Sequence, residues 1–285
     1  MSIKESIKRH RNEVQELRHC FLTERYAKQP ELYDECDIQK LRSTDWPVWR
    51  FLRTERYNAE TALEKLDRCL RWRRESDINY KRGEDVPKEF YEIGGMFTYN
   101  EDRDGTCVIY MRIKVNLKIA RLNRYIKDFM TFVIDRVDQR TNESGFVVLI
   151  DLTDAGLRNA DLDLCSHLIH VLRFYFPEAL KHCIVYNLPW ILRSFWPVVR
   201  MWIPNRHQHL VRFANKDEIQ DYIDSEQLPK YLGGRCKRRF AEPPDGCRSV
   251  REISDNWGFT GDEIDGYLQI FEPHINETQR IQCLD

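Results

Sequence analysis

The hydrophobic pattern of the chain changes near residue 93. Before that point, apolar residues recur three and four positions apart among charged ones, which predicts a small bundle of amphipathic helices over residues 1–93. Leu66 and Leu70, for example, belong to an apolar stripe along one side of a predicted helix, and the remaining surface of that helix is charged. Asn58 stands where this helix would be capped, and Asp45 precedes another predicted helix in the same way.

From residue 94 onward, short apolar runs alternate with helical patterns. Four runs have strand composition, namely T-C-V-I-Y-M-R-I (106–113), G-F-V-V-L-I-D-L (145–152), H-C-I-V-Y-N (182–187) and H-L-V-R-F-A (209–214). Helical patterns separate them at about 122–139, 161–175 and 190–203. Strands that alternate with helices predict an α/β layer whose neighbouring strands are largely parallel.

The segment 190–204 is the most distinctive stretch of the chain. It is too apolar for a solvated surface helix, and too short and too charged for a membrane span. One interpretation is a core helix whose two arginines reach solvent by their tips. Three tryptophans argue against it, because indole rings favour boundaries between apolar and wet surroundings. Pro197 prevents an unbroken helix and Pro204 ends it, so we predict a short, movable amphipathic cover over an apolar site.

Composition narrows the possible partners and locations. The formal net charge is −1, so no bulk field attracts the chain to nucleic acid or to an anionic membrane. The first residues are polar and no segment approaches a transmembrane span, so we expect a cytoplasmic protein that associates peripherally with membranes, the endoplasmic reticulum being one candidate. The nine scattered cysteines form no C-x-x-C motif, which favours reduced thiols over disulfides or a zinc site.

The pair His182-Cys183 invites comparison with the phosphate-binding loop of cysteine phosphatases. That loop requires an arginine where this chain has Pro189, and no glycine-rich cradle for phosphate lies between them. The chain also has no nucleotide-binding P-loop, no dinucleotide-binding glycine motif and no nucleophile elbow. Nucleophilic catalysis therefore has no support in the sequence.

Two further groups of residues are of types that can be catalytic or metal-binding. Asp151 and Asp154 end a predicted strand, where an aspartate more often forms a turn or caps a helix than binds a metal or acts as a general base. His167 and His170 lack a third ligand at a useful spacing. We therefore expect no enzyme activity, no metal and no cofactor.

Several motifs, in order, resemble the Sec14-like (CRAL-TRIO) family. These are L-R-S-T-D-W-P-V-W-R-F-L-R and its W-R-R-E-S ending, then Y-F-P-E-A-L, I-V-Y-N-L-P-W and L-P-K-Y-L-G-G. The resemblance covers roughly residues 35–234 and implies an α/β fold with an N-terminal helical bundle packed on a mixed, largely parallel sheet. It further implies a lipid pocket closed by a gate helix, for which 190–204 is the candidate. The domains would be the bundle (1–93), the lipid-binding lobe (94–234) and a basic cluster with a polar, partly ordered tail (235–285).

The same resemblance implies three sets of site residues. The pocket would be lined by Tyr110, Val148, Ile150, Tyr186, Phe195, Val199, Trp202, Ile203 and Phe213. The gate would contact the membrane through Trp190, Phe195, Trp196 and Trp202. Anionic headgroups or an anionic membrane would be contacted by Lys230, Arg235, Lys237, Arg238 and Arg239.

The family resemblance has one departure. Members that bind phosphatidylinositol typically carry a basic residue two positions before the final glycine pair, where this chain has Tyr231, with Lys230 one position earlier. This departure leaves open whether a phosphoinositide binds, and it does not change the expectation of a hydrophobic cargo. The expected function is the binding and the intermembrane transfer or presentation of a hydrophobic lipid, without catalysis. The alternative is a regulatory or tethering adaptor that binds a protein partner, through the bundle or the tail, or a membrane surface.

Overall fold

The computed structural model describes residues 2–253 and 257–282. Its α-helices, labelled in chain order, are α1 Ile3–Arg9, α2 Arg11–Cys20, α3 Glu35–Ser43, α4 Trp46–Thr54, α5 Ala59–Glu75, α6 Lys88–Glu92, α7 Asn123–Thr141, α8 Leu162–Phe174, α9 Trp196–Trp202, α10 Val250–Ile253 and α11 Gly261–Gln282. Its strands are β1 Met96–Glu101, β2 Cys107–Arg112, β3 Phe146–Asp151, β4 Leu180–Tyr186 and β5 Val211–Ala214.

The chain forms two compact units. The helical unit is made of the described part of Met1–Lys81 together with Asp138–Gly145 and His170–Ala179. The sheet unit is made of Arg82–Val137, Phe146–Ile169 and the described part of Leu180–Asp285. The helical unit therefore includes the last turns of α7 and α8 besides α1–α5. The domain boundary predicted at residue 93 assigned these later segments to the lipid-binding lobe instead.

Hydrogen bonds and a buried ion pair hold the helical unit together. The Asn58 side chain accepts from the backbone N–H of Thr61 and so caps α5, as predicted. Asp45 precedes α4 but does not cap it. Its carboxylate instead accepts a 2.6 Å hydrogen bond from Arg18. The Arg50 guanidinium binds both carboxylate oxygens of Asp138, at 2.9 and 3.0 Å, where neither residue is exposed.

The sheet has the strand order β1-β2-β3-β4-β5, with β1 antiparallel to β2 and the other neighbours parallel. Each of the four predicted runs contains a strand, whereas β1 was not predicted. Because successive parallel strands are joined by right-handed crossovers, a sequential strand order places the connecting helices on one face of the sheet. The other face carries a second core, in which Tyr110, Leu149 and Ile184 pack against the chain that follows β5, including Ile219 and Leu228.

A glycine pair closes this second core. At Gly234 an added Cβ would lie 1.9 Å from the carbonyl oxygen of Leu228, so only glycine fits without moving the backbone. Gly233 has a φ of +86°, in the left-handed region that glycine adopts without strain. The L-P-K-Y-L-G-G motif is thus a tight backbone turn packed under the sheet.

The chain beyond Gly234 packs against the sheet unit over most of its length. The sequence predicted a polar, partly ordered tail here, yet α10 and α11 are helices with buried residues such as Phe271 and Thr278. The Gln282 side chain accepts hydrogen bonds from the backbone N–H groups of Phe240 and Ala241. The pattern was missed because α11 contains Pro273 and is largely polar. Residues 254–256 and 283–285 of the predicted tail lie outside the described residues.

Candidate ligand cavity and its gate

One row of the sheet forms the floor of a cavity in the sheet unit. Each strand contributes one side chain to this row, and consecutive members are partners in the strand register. The five floor residues are Met96, Met111, Ile150, Val185 and Phe213. They point to the face that carries the crossover helices, and four of them are aliphatic or thioether side chains that adapt to a flexible apolar ligand.

Helices and loops form the walls of the cavity. Phe129 and Met130 of α7, Leu164 and Leu168 of α8, and Phe271 of α11 all contribute. The cavity has a volume of about 270 Å³. Such a volume, lined almost entirely by apolar groups, fits a hydrophobic ligand far better than it fits water.

The polar carboxylates and amides at the cavity wall are engaged by the protein. Glu89 accepts hydrogen bonds from the Ser249 hydroxyl and from the N–H of Val250, at the start of α10. Asp161 accepts from backbone N–H groups at the start of α8. Asn159 donates to two carbonyl oxygens of the loop after β2. These groups hold the walls in place and offer a ligand little free hydrogen-bonding capacity.

A segment that we call the gate, residues 190–202, covers the cavity. It begins as a 3-10 helix, Trp190–Phe195, and continues as α9, with Pro197 in the first turn, where a missing N–H is tolerated. The proline-interrupted cover predicted from the sequence is thus present as two short helical pieces. Its inner side chains Phe195, Trp196 and Val199 line the cavity. The Trp196 ring meets Phe213 edge-on, with 5.0 Å between the ring centroids.

The outer surface of the gate is apolar and positively charged. Trp190 and Met201 are each 79% exposed, far more than is usual for such large apolar side chains. No acidic residue occurs from Ala179 to Lys216, and the gate and the residues just after it contribute three arginines, at positions 193, 200 and 206. Within the described residues, none of the helices is both long and apolar enough to cross a bilayer.

Four of the predicted pocket residues line the cavity, namely Ile150, Phe195, Val199 and Phe213. Val148 lies on the same face of β3 but is buried beyond the cavity wall. Trp202, the last residue of the gate, and Ile203, which follows it, are half-buried and do not line the cavity. The four gate residues predicted to contact a membrane differ in their exposure. Trp190 is exposed, Phe195 and Trp196 face inward, and Trp202 lies between these extremes.

Tyr110 and Tyr186 are on the wrong face of the sheet for the predicted role. Tyr110 stacks on Phe97 in the second core, with 5.3 Å between ring centroids, and Tyr186 is buried in the same core. Their strands are apolar on both faces, so alternation in the sequence does not identify the face. The cavity residues of these strands are their neighbours, Met111 and Val185. Met111 and Val185 could be identified only from the register of β2 and β4 with β3, because both are partners of Ile150 in the sheet.

The basic cluster after the glycine pair is largely engaged on the protein surface. Arg235 pairs with Glu226 at 3.1 Å, and Arg239 pairs with Glu242 at 3.3 Å. Arg238 donates to Asn100 and lies over the ring of Tyr99. Lys237 is exposed and Lys230 is half-buried. These residues do not line the cavity, and their contact with anionic headgroups stays a prediction.

The candidate catalytic and metal-binding side chains are buried or hydrogen-bonded within the fold. Burial raises the pKa of the Cys183 thiol to about 12, which keeps it protonated and unreactive at neutral pH. Asp151 accepts a hydrogen bond from the N–H of Thr153 in the turn after β3. His167 lies 3.0 Å from the Thr131 hydroxyl. Within residues 2–253 and 257–282, no three His, Cys, Asp or Glu side chains are grouped as metal ligands.

Comparison with known proteins places this architecture in a family. A CRAL-TRIO domain-containing protein of Schizosaccharomyces pombe, C3H8.02, is 25% identical over 229 residues, which are 74% of this chain and 50% of that protein. The phosphatidylinositol transfer protein CSR1 of Eremothecium gossypii is 23% identical over 234 residues, 75% of this chain and 53% of that protein. This chain thus spans about half the length of these two relatives.

A solved structure and a family match agree with these relatives. The crystal structure of Sfh5 superposes with a TM-score of 0.60 at 13% identity, covering 86% of this chain and 96% of that one, which establishes the likeness of the fold. The CRAL/TRIO domain matches residues 92–234, just over half of the chain. This range contains the five strands, the cavity floor and the gate. The chain belongs to the CRAL/TRIO domain family.

Proposed function

We propose that this chain binds a lipid in the cavity and carries it between membranes, or presents it at one, without catalysing a reaction. The observation that carries this proposal is an apolar cavity of about 270 Å³ whose cover is a short two-piece segment. A lobe that only held a protein partner would gain stability by filling such a space with side chains. The open cavity therefore favours the carrier over the adaptor.

Energetics explain why such a carrier needs a gate. A lipid with two chains of about 16 carbons carries about 30 methylene groups, each worth about 0.8 kcal/mol on leaving water, or about 24 kcal/mol in total. Release into water would be extremely slow against such a free energy. Exchange has to take place while the open gate touches a bilayer, so that the chains pass from one apolar environment to another.

The outer surface of the gate supports a membrane contact at that place. Exposed Trp190 and Met201 would enter the interfacial region of a bilayer, where tryptophan is favoured. The surrounding arginines, with no acidic residue from Ala179 to Lys216, would be attracted to anionic lipids, at about 1 kcal/mol for each basic side chain near the surface. We propose that the gate, more than the paired basic cluster at 235–239, makes this contact on the cytoplasmic side of a membrane.

The testing experiment is native mass spectrometry of the chain purified from eukaryotic cells, followed by identification of any lipid released on denaturation. One lipid bound per chain, and exchange of that lipid with vesicles, are expected. A chain that purifies empty and takes up no lipid from vesicles would move the assignment to the adaptor. A Cys183→Ser variant should bind and transfer lipid as the unchanged chain does, since a carrier makes no use of this thiol.

A further inference from the structure

The chain beyond the glycine pair contributes one side chain to the cavity. Among the described residues after Gly234, Phe271 is the one that lines it, and its side chain is 6% exposed. Phe271 belongs to α11, which lies outside the range 92–234 that matches the CRAL/TRIO domain. This part of the cavity wall is therefore supplied by a segment that the family match does not cover.

The inner face of α11 is defined by its buried residues. Ile264, Phe271 and Thr278 follow one another at intervals of seven, which places them on one side of the helix. The Thr278 hydroxyl donates to the carbonyl oxygen of Ile93 at 3.0 Å, and Ile93 itself lines the cavity. The neighbouring Ile270 is 44% exposed. Phe271 thus faces the cavity, whereas Ile270 faces solvent.

Contacts on both sides of Phe271 hold α11 in place. Towards the start of the helix, Glu263 forms an ion pair with Arg121. Towards its end, Glu277 accepts a 2.7 Å hydrogen bond from Lys114, which lies just after β2. Both partners belong to the sheet unit, as Phe271 does. A helix held at both ends limits the space available to a ligand more sharply than a loop would.

The gate and Phe271 lie towards opposite ends of the floor row. The gate contacts the floor at β5, where the Trp196 ring meets Phe213. At the other edge of the sheet, α6 leads into β1. α11 packs against α6 and, through Thr278, against Ile93, the residue that follows α6. A ligand that enters beneath the gate therefore extends towards Phe271.

The length of the floor row corresponds to one acyl chain. The five strands are separated by four gaps of about 4.8 Å, or about 19 Å in all. Because carbon–carbon single bonds of about 1.5 Å advance an extended chain by about 1.3 Å each, this distance accommodates about 15 carbons. A much longer chain would have to displace the wall that Phe271 forms.

We infer that Phe271 limits the length of the acyl chain that the cavity accepts. The ring closes the apolar space away from the gate, so the terminal methyl group meets it when a chain fills the floor row. Removal of the ring would open room for about four further methylene groups, each of which changes affinity about fourfold. This inference rests on the proposed lipid-binding function and adds the range of chain lengths that the ligand can have.

The test compares phosphatidylcholines that differ only in chain length. Vesicles contain equal amounts of the dimyristoleoyl, dioleoyl and dierucoyl lipids, in order of increasing length, and a second series uses the corresponding phosphatidates. Native mass spectrometry of the full chain after incubation measures which lipid is loaded. In the unchanged chain we expect the dioleoyl lipid to exceed the dierucoyl lipid by at least about tenfold, because the longer chain meets Phe271. Phe271→Ala should abolish this preference.

Further variants separate the ligand contact from a structural role of α11. Phe271→Trp should shift loading towards the dimyristoleoyl lipid, and Phe271→Leu should shift it partway towards the dierucoyl lipid. The matched control is Ile270→Ala, since Ile270 is the exposed neighbour on the same helix, and its ranking should be unchanged. Leu168→Ala enlarges the cavity at α8, which connects β3 and β4, and should not admit the dierucoyl lipid. If urea unfolding shows that Phe271→Ala does not fold, the other two Phe271 variants still decide.

The outcomes separate this inference from the function on which it rests. Loading of all chain lengths alike by the unchanged chain, or an unchanged ranking in the Phe271 variants, would overturn the role of Phe271 and leave the carrier proposal standing. An equal shift in Leu168→Ala would show that total volume limits the chain, and would likewise overturn that role. No loading of any lipid from either series would overturn the carrier proposal together with this inference.

Discussion

Replacement of Val185 by tryptophan would fill the cavity from its floor. Val185 lines the cavity from β4, half-buried, whereas its neighbour Ile184 is fully buried on the opposite face of the same strand. Tryptophan adds about seven non-hydrogen atoms, which would displace about five methylene groups of a bound chain. At about 0.8 kcal/mol each, the ligand loses about 4 kcal/mol, close to a thousandfold in affinity. The stability of the empty protein should change by less than about 1 kcal/mol, because the new ring enters open space.

Ile184→Trp is the matched control for this experiment. It places the same ring on the same strand, but in the close-packed second core, where overpacking costs about 1–3 kcal/mol or more. Lipid loading is measured by native mass spectrometry after incubation with vesicles, and stability by urea unfolding. The reasoning would be refuted by a Val185→Trp protein that loads lipid normally, since the ligand would then lie elsewhere. A large loss of stability in Val185→Trp would show that the cavity is closed in solution.

The remaining predictions concern the gate, the helical unit and the response to pH. Replacing exposed Trp190 and Met201 together by aspartate should weaken sedimentation with anionic vesicles at least about tenfold and leave urea unfolding unchanged. Asp138→Asn should destabilise the chain by about 3–5 kcal/mol, because Arg50 keeps a buried charge without its partner, and unchanged unfolding in urea would contradict this. Burial lowers the pKa of His182 below 6.5, so folding favours its neutral form and stability should fall as the pH drops below about 6.5. His182→Gln should reduce that pH dependence of the unfolding free energy, and an unchanged pH profile would argue against it.

The α/β architecture could be predicted because it depends on local pattern. β3, for example, is a short apolar run between a glycine and a turn, and both features are visible in the sequence. α11 shows the opposite case. Its helix contains Pro273 and its buried side chains are few, so its position is determined by contacts such as Thr278 with Arg112, which join residues far apart in the chain.

The cavity floor could be predicted only in part for a related reason. Of the predicted pocket residues on the strands, Ile150 and Phe213 line the cavity, whereas Tyr110 and Tyr186 face the second core. A strand that is apolar on both faces contains no signal for its own orientation. The orientation of β2 and β4 follows from their register with β3, a property of the sheet that a single sequence does not contain.

The floor row and the gate act on the apolar part of a ligand, and their energetic contribution follows from that. The apolar chains determine how tightly a lipid is held, because about 24 kcal/mol of transfer free energy resides in them and depends little on the headgroup. Capacity therefore belongs to the floor row and the gate. If this holds, Val185→Trp should reduce the loading of all lipids alike. A Val185→Trp variant that changed only the ranking of lipids by headgroup would show that the floor row contacts the headgroup as well.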